Sequence, residues 1–106
     1  MSHAAHIIGT GLYAPERVVA NDYFNDLYGE DVDSFLRTHR NIEERRYAAE
    51  DQATSDLAVE AAHTALRNAD CDAGDIDLIV LSTDTPDFLS PATAAVVQDK
   101  LDARSA

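Results

Sequence analysis

The chain has 106 residues, room for one domain and too few for two independent cores. Apolar residues make up 45%, close to the usual share for globular domains and too many for a disordered chain. Eight basic against 20 acidic side chains give a net charge of −12, which excludes the basic stripe of a nucleic-acid-binding module.

The first apolar run, His6-Ile7-Ile8, is β-branched and stops at Gly9-Thr10-Gly11, so a short buried strand entering a tight glycine turn is expected. Pro15 blocks regular helix, and Val18 and Val19 close the extended stretch. Asn21 or Asp22 can then cap a short helix carrying Phe24, Leu27 and Tyr28, ended by Gly29. Residues 30–53 read as the least regular part, with a helical turn at Ser34-Phe35-Leu36 and a charged run from Arg37 to Arg46.

The clearest helix runs from Ser55 or Asp56 to about Ala69, with Leu57, Ala61, Ala65, Leu66 and Ala69 on one face. Its alanines let the axis approach a neighbouring element closely, and Asp70 takes the left-handed position at its end. Ile76-Asp77-Leu78-Ile79-Val80-Leu81-Ser82 reads as a parallel strand needing a helix on each face. Ser90-Pro91 announces a second helix, with Ser90 as cap and Pro91 at the first helical position, reaching to about Leu101. The order strand, insertion, helix, strand, helix is an α/β pattern in which a further parallel strand is due. Its apolar faces are expected to be incompletely covered in the chain alone.

The single cysteine, Cys71, excludes an intramolecular disulfide framework. His3, His6, His39 and His63 have no partner cysteines at zinc spacing, so no metal centre is expected. The N-terminus lacks a positive leader region and no stretch nears the ~18 apolar residues of a membrane span, so a cytoplasmic location without membrane contact is expected. Gly9-Thr10-Gly11 lacks the third glycine of a dinucleotide fingerprint. Cys71 has no sequence neighbour to stabilise a thiolate and reads as a small packed side chain. Arg37, His39, Arg40, Arg45 and Arg46 form a local basic cluster. It either meets phosphate or pairs with Glu43, Glu44 and Asp51.

Taken together, the order and spacing of several segments resemble the opening portion of β-ketoacyl-acyl-carrier-protein synthase III, a condensing enzyme of the thiolase fold. These are Ile7-Ile8-Gly9-Thr10-Gly11 with Pro15 and Asn21, Ile42-Glu43-Glu44-Arg45-Arg46 with Ala48-Ala49, and Thr54-Ser55-Asp56-Leu57-Ala58 with Glu60-Ala61-Ala62. The match continues through Ile76-Asp77-Leu78-Ile79-Val80, Ser82-Thr83, Thr85-Pro86-Asp87 and Ser90-Pro91-Ala92. The resemblance implies the N-terminal part of a thiolase-like α/β domain over residues 1–106, an incomplete βαβα unit with a mixed sheet and helices on both faces. Residues 21–53 would be an insertion at the coenzyme entrance.

The implied activity is a decarboxylative Claisen condensation in fatty-acid or polyketide biosynthesis. A cysteine takes an acyl primer from acyl-CoA or an acyl-carrier protein, and malonyl-carrier protein then condenses with it; no cofactor is implied. The family's cysteine, histidine and asparagine lie beyond Ala106, and Cys71 matches a non-catalytic position. The chain alone is therefore expected to be inactive, needing a homodimeric complete enzyme or a second polypeptide. A hydroxymethylglutaryl-CoA synthase or related acyltransferase is the alternative enzyme, and a structural or docking half of a split enzyme is the non-enzymatic one.

At the coenzyme entrance this sequence departs from the family pattern. Phe35 stands where a tryptophan stacks on adenine, His39 where an arginine meets the nucleotide, and Asp31 where a hydroxyl residue is usual. Phenylalanine stacks more weakly, and a neutral imidazole lacks the fixed charge of a guanidinium. Arg40 is the nearest replacement charge. Ser90 matches a position that reaches the acyl pocket across the dimer, where its small side chain implies room for longer or branched primers.

Overall fold

The computed structural model describes residues 4–106, so His3 and the first residues of the leader reading lie outside the described part. The chain divides into two compact units, one formed by residues up to Tyr13 together with Gln52–Ala106, the other by Ala14–Asp51.

In the 14–51 unit, strand β1 (Arg17–Ala20) alternates as a half-covered strand should, with Val19 buried and Val18 exposed. Helix α1 (Asp22–Tyr28) follows and ends at Gly29, whose φ of 67° is the left-handed cap expected of glycine. Only Phe24 of its three expected apolar contacts is buried, while Leu27 and Tyr28 face outward. Helix α2 (Val32–Arg40) replaces the single helical turn expected at 34–36. Strand β2 (Glu44–Tyr47) arises within the charged run and pairs antiparallel with β1, Arg17 opposite Tyr47 and Ala20 opposite Glu44.

The sequence hid β2 because its charges lie on a two-stranded ribbon, where long side chains lie along apolar neighbours. Arg17 sits 5.5 Å from the Tyr47 ring centroid, and the Arg45 guanidinium lies 4.2 Å from that of Phe24.

Asn21 ties this unit together. It takes the N-cap position of α1, as expected, but makes no capping bond with its side chain. At 1% exposure, its Nδ2 donates instead to Asp33 Oδ1 at 2.9 Å and to the Ile42 carbonyl at 2.7 Å. Its backbone N–H donates to the Glu43 carbonyl at 3.2 Å. One amide thus joins the starts of both helices to the strand that follows.

In the other unit, helix α3 (Thr54–Ala69) agrees with the sequence reading to within a residue or two, and Asp70 caps it with a φ of 53°. Gly9 and Gly11 do not form a tight turn; neither has a positive φ, and the segment crosses α3 at the alanine face. A Cβ on Gly9 would lie 2.6 Å from the Ala65 carbonyl oxygen and 2.7 Å from the Ala69 Cβ. The glycines are there for close approach to a helix built of small residues. Asn68 Nδ2 closes the contact by donating to the Thr10 carbonyl at 2.8 Å.

The runs 6–8 and 76–82, expected as strands, have no ladder partner among the described residues, whose one sheet is the β1–β2 ribbon. Ile7 is 88% exposed rather than buried. A strand is defined by its neighbours' hydrogen bonds, which an apolar run does not itself supply.

Helix α4 (Thr93–Leu101) packs on α3 and begins two residues after the expected start, with Ala92 rather than Ser90 as N-cap. Its first backbone bond runs from the Ala95 N–H to the Ala92 carbonyl. Tertiary contacts fix that start. The Thr93 hydroxyl, in a buried residue, accepts from the Asp87 N–H at 3.0 Å, and Asp87 Oδ1 accepts from the N–H of fully buried Ser55 at 2.9 Å. Thr54 Oγ1 donates to the Thr85 carbonyl. The segment 85–87 therefore stitches the starts of α3 and α4 together. Asp87→Ala, which strands the Ser55 N–H away from water, is expected to lower stability by about 2 kcal/mol, read as a shift in the urea midpoint.

Lys100 adds a second tie, donating to Ser55 Oγ at 2.7 Å and Asp56 Oδ1 at 2.6 Å. The lysine, followed by the Ala53 N–H, holds the Asp56 carboxyl below its ordinary pKa. A carboxyl whose folded pKa is depressed contributes stability above its unfolded pKa of about 3.9 and loses it as pH falls through the folded value. The urea midpoint of the native sequence is therefore expected to fall more steeply than that of Asp56→Asn on acidification below about pH 4.

Candidate functional site

The candidate residues Phe35, His39 and Arg40 all lie on α2. That helix begins where Asp31 accepts from the Ser34 N–H at 3.0 Å. The Ser34 hydroxyl and then its N–H hold the Asp31 carboxyl below its ordinary pKa. Asp31, placed at the coenzyme entrance by resemblance, is thus engaged as a helix cap. Asp33 lies in the first turn and Arg37, His39 and Arg40 in the last, the charge order that a helix dipole favours. Asn41 ends the helix with a φ of 54°.

One turn apart, the Phe35 and His39 rings stack with centroids 4.8 Å apart and planes at 23°. His39 Nδ1 lies 3.2 Å from the Phe35 carbonyl oxygen. The Arg40 guanidinium sits 5.8 Å from the Phe35 centroid, and its Nη1 donates to the His39 carbonyl at 3.1 Å. The structure therefore brings Phe35, His39 and Arg40 into one exposed aromatic and cationic cluster. Such a cluster can stack on a planar group and meet an anion.

The five-member basic cluster is not one open anion site. Arg37 pairs with Asp33 at 2.8 Å and Glu43 at 3.0 Å, which raises its pKa further through the Asp33 hydrogen bond and charge. Arg45 donates to Asn21 Oδ1 at 3.4 Å, and Arg46 donates to the Pro15 carbonyl at 2.9 Å. No ion pair to Glu44 or Asp51 occurs among the described residues. Arg40, in no ion pair among those residues, keeps its charge available on the surface.

Ser90 lies in the other unit, exposed and before a cis Ser90–Pro91 bond. Cys71 is half-buried with Sγ 3.5 Å from the Ala69 carbonyl oxygen. It borders an open depression of about 470 Å³ with His63 and Asp72. Among the described residues no group of three His, Cys, Asp or Glu side chains could hold a metal ion, and no helix is long and apolar enough to cross a membrane.

The residues that organise these surroundings, Asn21, Ser55 and Asp87, were legible only as members of the quoted segments. Asn21 and Ser55 find their side-chain partners 12 to 45 positions away, and Asp87 reaches Ser55 32 positions back, beyond any local pattern.

Comparison with solved structures defines the class first: a thiolase-like α/β fold. The chain superposes on a 3-oxoacyl-[acyl-carrier-protein] synthase III from Aquifex aeolicus with a TM-score of 0.83 and 39% identity, over 92% of this chain and 31% of that one. It superposes equally on the priming β-ketosynthase of the R1128 polyketide pathway, at 0.83 and 29% identity, over 93% and 29%. No family model matches.

In sequence, the chain is 50% identical to β-ketoacyl-[acyl-carrier-protein] synthase III of Clostridium perfringens over 102 residues, 96% of this chain. It is 46% identical to that of Hyphomonas neptunium over 101 residues, 95% of this chain. It spans about 31% of the length of these curated relatives. Over nearly its whole length the chain is thus similar to a segment of β-ketoacyl-[acyl-carrier-protein] synthase III relatives.

Proposed function

We propose that the chain supplies the N-terminal segment of a 3-oxoacyl-[acyl-carrier-protein] synthase III type acyltransferase in fatty-acid or polyketide biosynthesis. The 50% identity over 96% of the chain carries this reading. The complete enzyme would move an acyl primer from acyl-CoA or an acyl-carrier protein onto a cysteine supplied outside these residues. It would then condense the acyl group with malonyl-carrier protein, using no further cofactor. It would act in the cytoplasm as a homodimer.

In this reading residues 21–53 border the coenzyme entrance, where Phe35 and His39 present a stacking surface and Arg40 the fixed positive charge. Ser90 leaves space in the acyl pocket. A chimera in which these residues replace the matching segment of the Clostridium perfringens relative tests the proposal. It should condense acyl primers with malonyl-carrier protein, and a folded chimera without that activity would refute it. The isolated chain should show none.

In the same chimera, Arg40→Ala is expected to raise KM for an acyl-CoA primer about tenfold, the loss of one charge-assisted contact worth roughly 1.4 kcal/mol, with kcat little changed. Equal KM values for the two proteins would remove Arg40 from the entrance. Ser90→Phe should reduce turnover of long or branched primers while sparing the acetyl primer.

A further inference from the structure

At the last turn of α2 the His39 ring is held by one of its two nitrogens. Its Nδ1 lies 3.2 Å from the Phe35 carbonyl oxygen, and the ring stacks on that of Phe35. A carbonyl oxygen only accepts, so Nδ1 carries the proton of the neutral imidazole and Nε2 is left as an acceptor. Nε2 has no hydrogen-bond partner among the described residues, and the residue is exposed. Protonation turns that one atom into a charged donor while the Nδ1 bond and the stack stay in place. The same ring edge therefore repels an anion when neutral and binds one when charged.

The surroundings favour the charged form meeting an anion. The last turn of a helix welcomes positive charge, and Arg40, whose guanidinium lies 5.8 Å from the Phe35 centroid, adds a fixed cation beside the ring. On α2 itself Asp33 is taken up by Asn21 and Arg37. Helix α1, which packs on α2, carries Asp22, Tyr23, Asp26 and Tyr28, and the segment after α2 carries Glu43 and Glu44. None of these carboxylates forms an ion pair with His39 among the described residues, and Glu43 pairs with Arg37. Phe35 remains 49% exposed, which leaves aromatic surface for a planar group next to the anion.

We propose that His39 is a proton-dependent anion contact: its imidazolium Nε2 meets a phosphate of a coenzyme whose base lies against the Phe35 cluster, so coenzyme affinity rises as pH falls from 8 to 6. The proposal rests on the functional reading above, which supplies the coenzyme. Coupling is reciprocal, so a bound phosphate must also favour the protonated ring.

The test follows the His39 ring resonances of the 106-residue chain by NMR through pH titrations, alone and with each of two probes. Dephospho-coenzyme A carries a pyrophosphate whose charge is constant between pH 6 and 8, and coenzyme A adds a phosphate monoester that itself titrates near pH 6. Binding should move the His39 titration midpoint upward by about one pH unit. Both probes do so if the contact is the pyrophosphate, and coenzyme A alone does so if it is the monoester. For the probe that does, affinity should be about fivefold higher at pH 6 than at pH 8, relative to His39→Arg, whose fixed charge removes the protein's share of the dependence. His39→Arg should bind at pH 8 as tightly as the native chain does at pH 6, and His39→Gln should bind weakly at both.

No binding of either probe, a midpoint that neither moves, or a native pH dependence that His39→Gln retains would each overturn the proposal. A moved midpoint together with a folded but inactive chimera would count against the functional reading alone. An active chimera whose KM for acyl-CoA follows pH identically with His39 and with His39→Arg would overturn the imidazole contact alone.

Discussion

Replacing Asn21 with leucine is expected to destabilise the 14–51 unit by about 3 kcal/mol, because a side chain of similar size then occupies the site without its hydrogen bonds. The Asp33 carboxylate and the Ile42 carbonyl both lose the Nδ2 donor, and Arg45 loses the Oδ1 acceptor. Asn21 is 1% exposed, so water has little room to replace these partners. The effect should appear as faster proteolysis and hydrogen exchange within residues 14–51. A loss below about 1 kcal/mol would mean that the helices and ribbon are held by other contacts. Asn21→Asp should also destabilise, since it sets a second carboxylate against Asp33, and that penalty should shrink in acid as the pair takes up a proton.

The second large effect is expected at Gly11. A Cβ there would overlap the Ala61 carbonyl oxygen and lie 2.5 Å from the Ala65 backbone nitrogen. These are backbone atoms of a regular helix and yield little, so Gly11→Val should cost about 3 kcal/mol or separate residues 9–11 from α3. Ala61→Gly should not rescue it, because the obstruction is main chain rather than the alanine methyl. Gly74→Ala is the matched control: nothing lies within 4 Å of its Cβ position, and a change within about 0.5 kcal/mol is expected. Urea midpoints for the three proteins, with the double variant, decide the matter.

Both substitutions strike residues within segments that carried the family resemblance. In the structure several of these residues act as fastenings: Asn21 joins α1 to Asp33 and Ile42, Ser55 and Asp87 join α3 to the start of α4, and Gly11 admits the chain to the face of α3. This explains how the segments shared with the relatives can be ones that fasten the fold. Of the departures that the resemblance implies, Phe35 and His39 lie exposed on α2, whereas Asp31 caps that helix.

Helix α3 and its end at Asp70, the short α1 with its glycine stop, and the close-approach character of the alanine face were legible in the sequence, because each depends on periodicity, capping or side-chain size within a few residues. The resemblance, spread over nearly the whole chain, was legible for the same reason. Strand β2 was not, since Glu44, Arg45 and Arg46 become a strand only by pairing with Val18, Val19 and Ala20. The start of α4 was not, since Asp87 rather than a local cap fixes Thr93. The apolar runs 6–8 and 76–82 showed the composition of strands, yet composition provides no partner. Local chemistry determined helices α1 and α3, the close contacts and the resemblance; hydrogen bonds between separate segments, which the tertiary structure alone arranges, decided the ribbon and the start of α4.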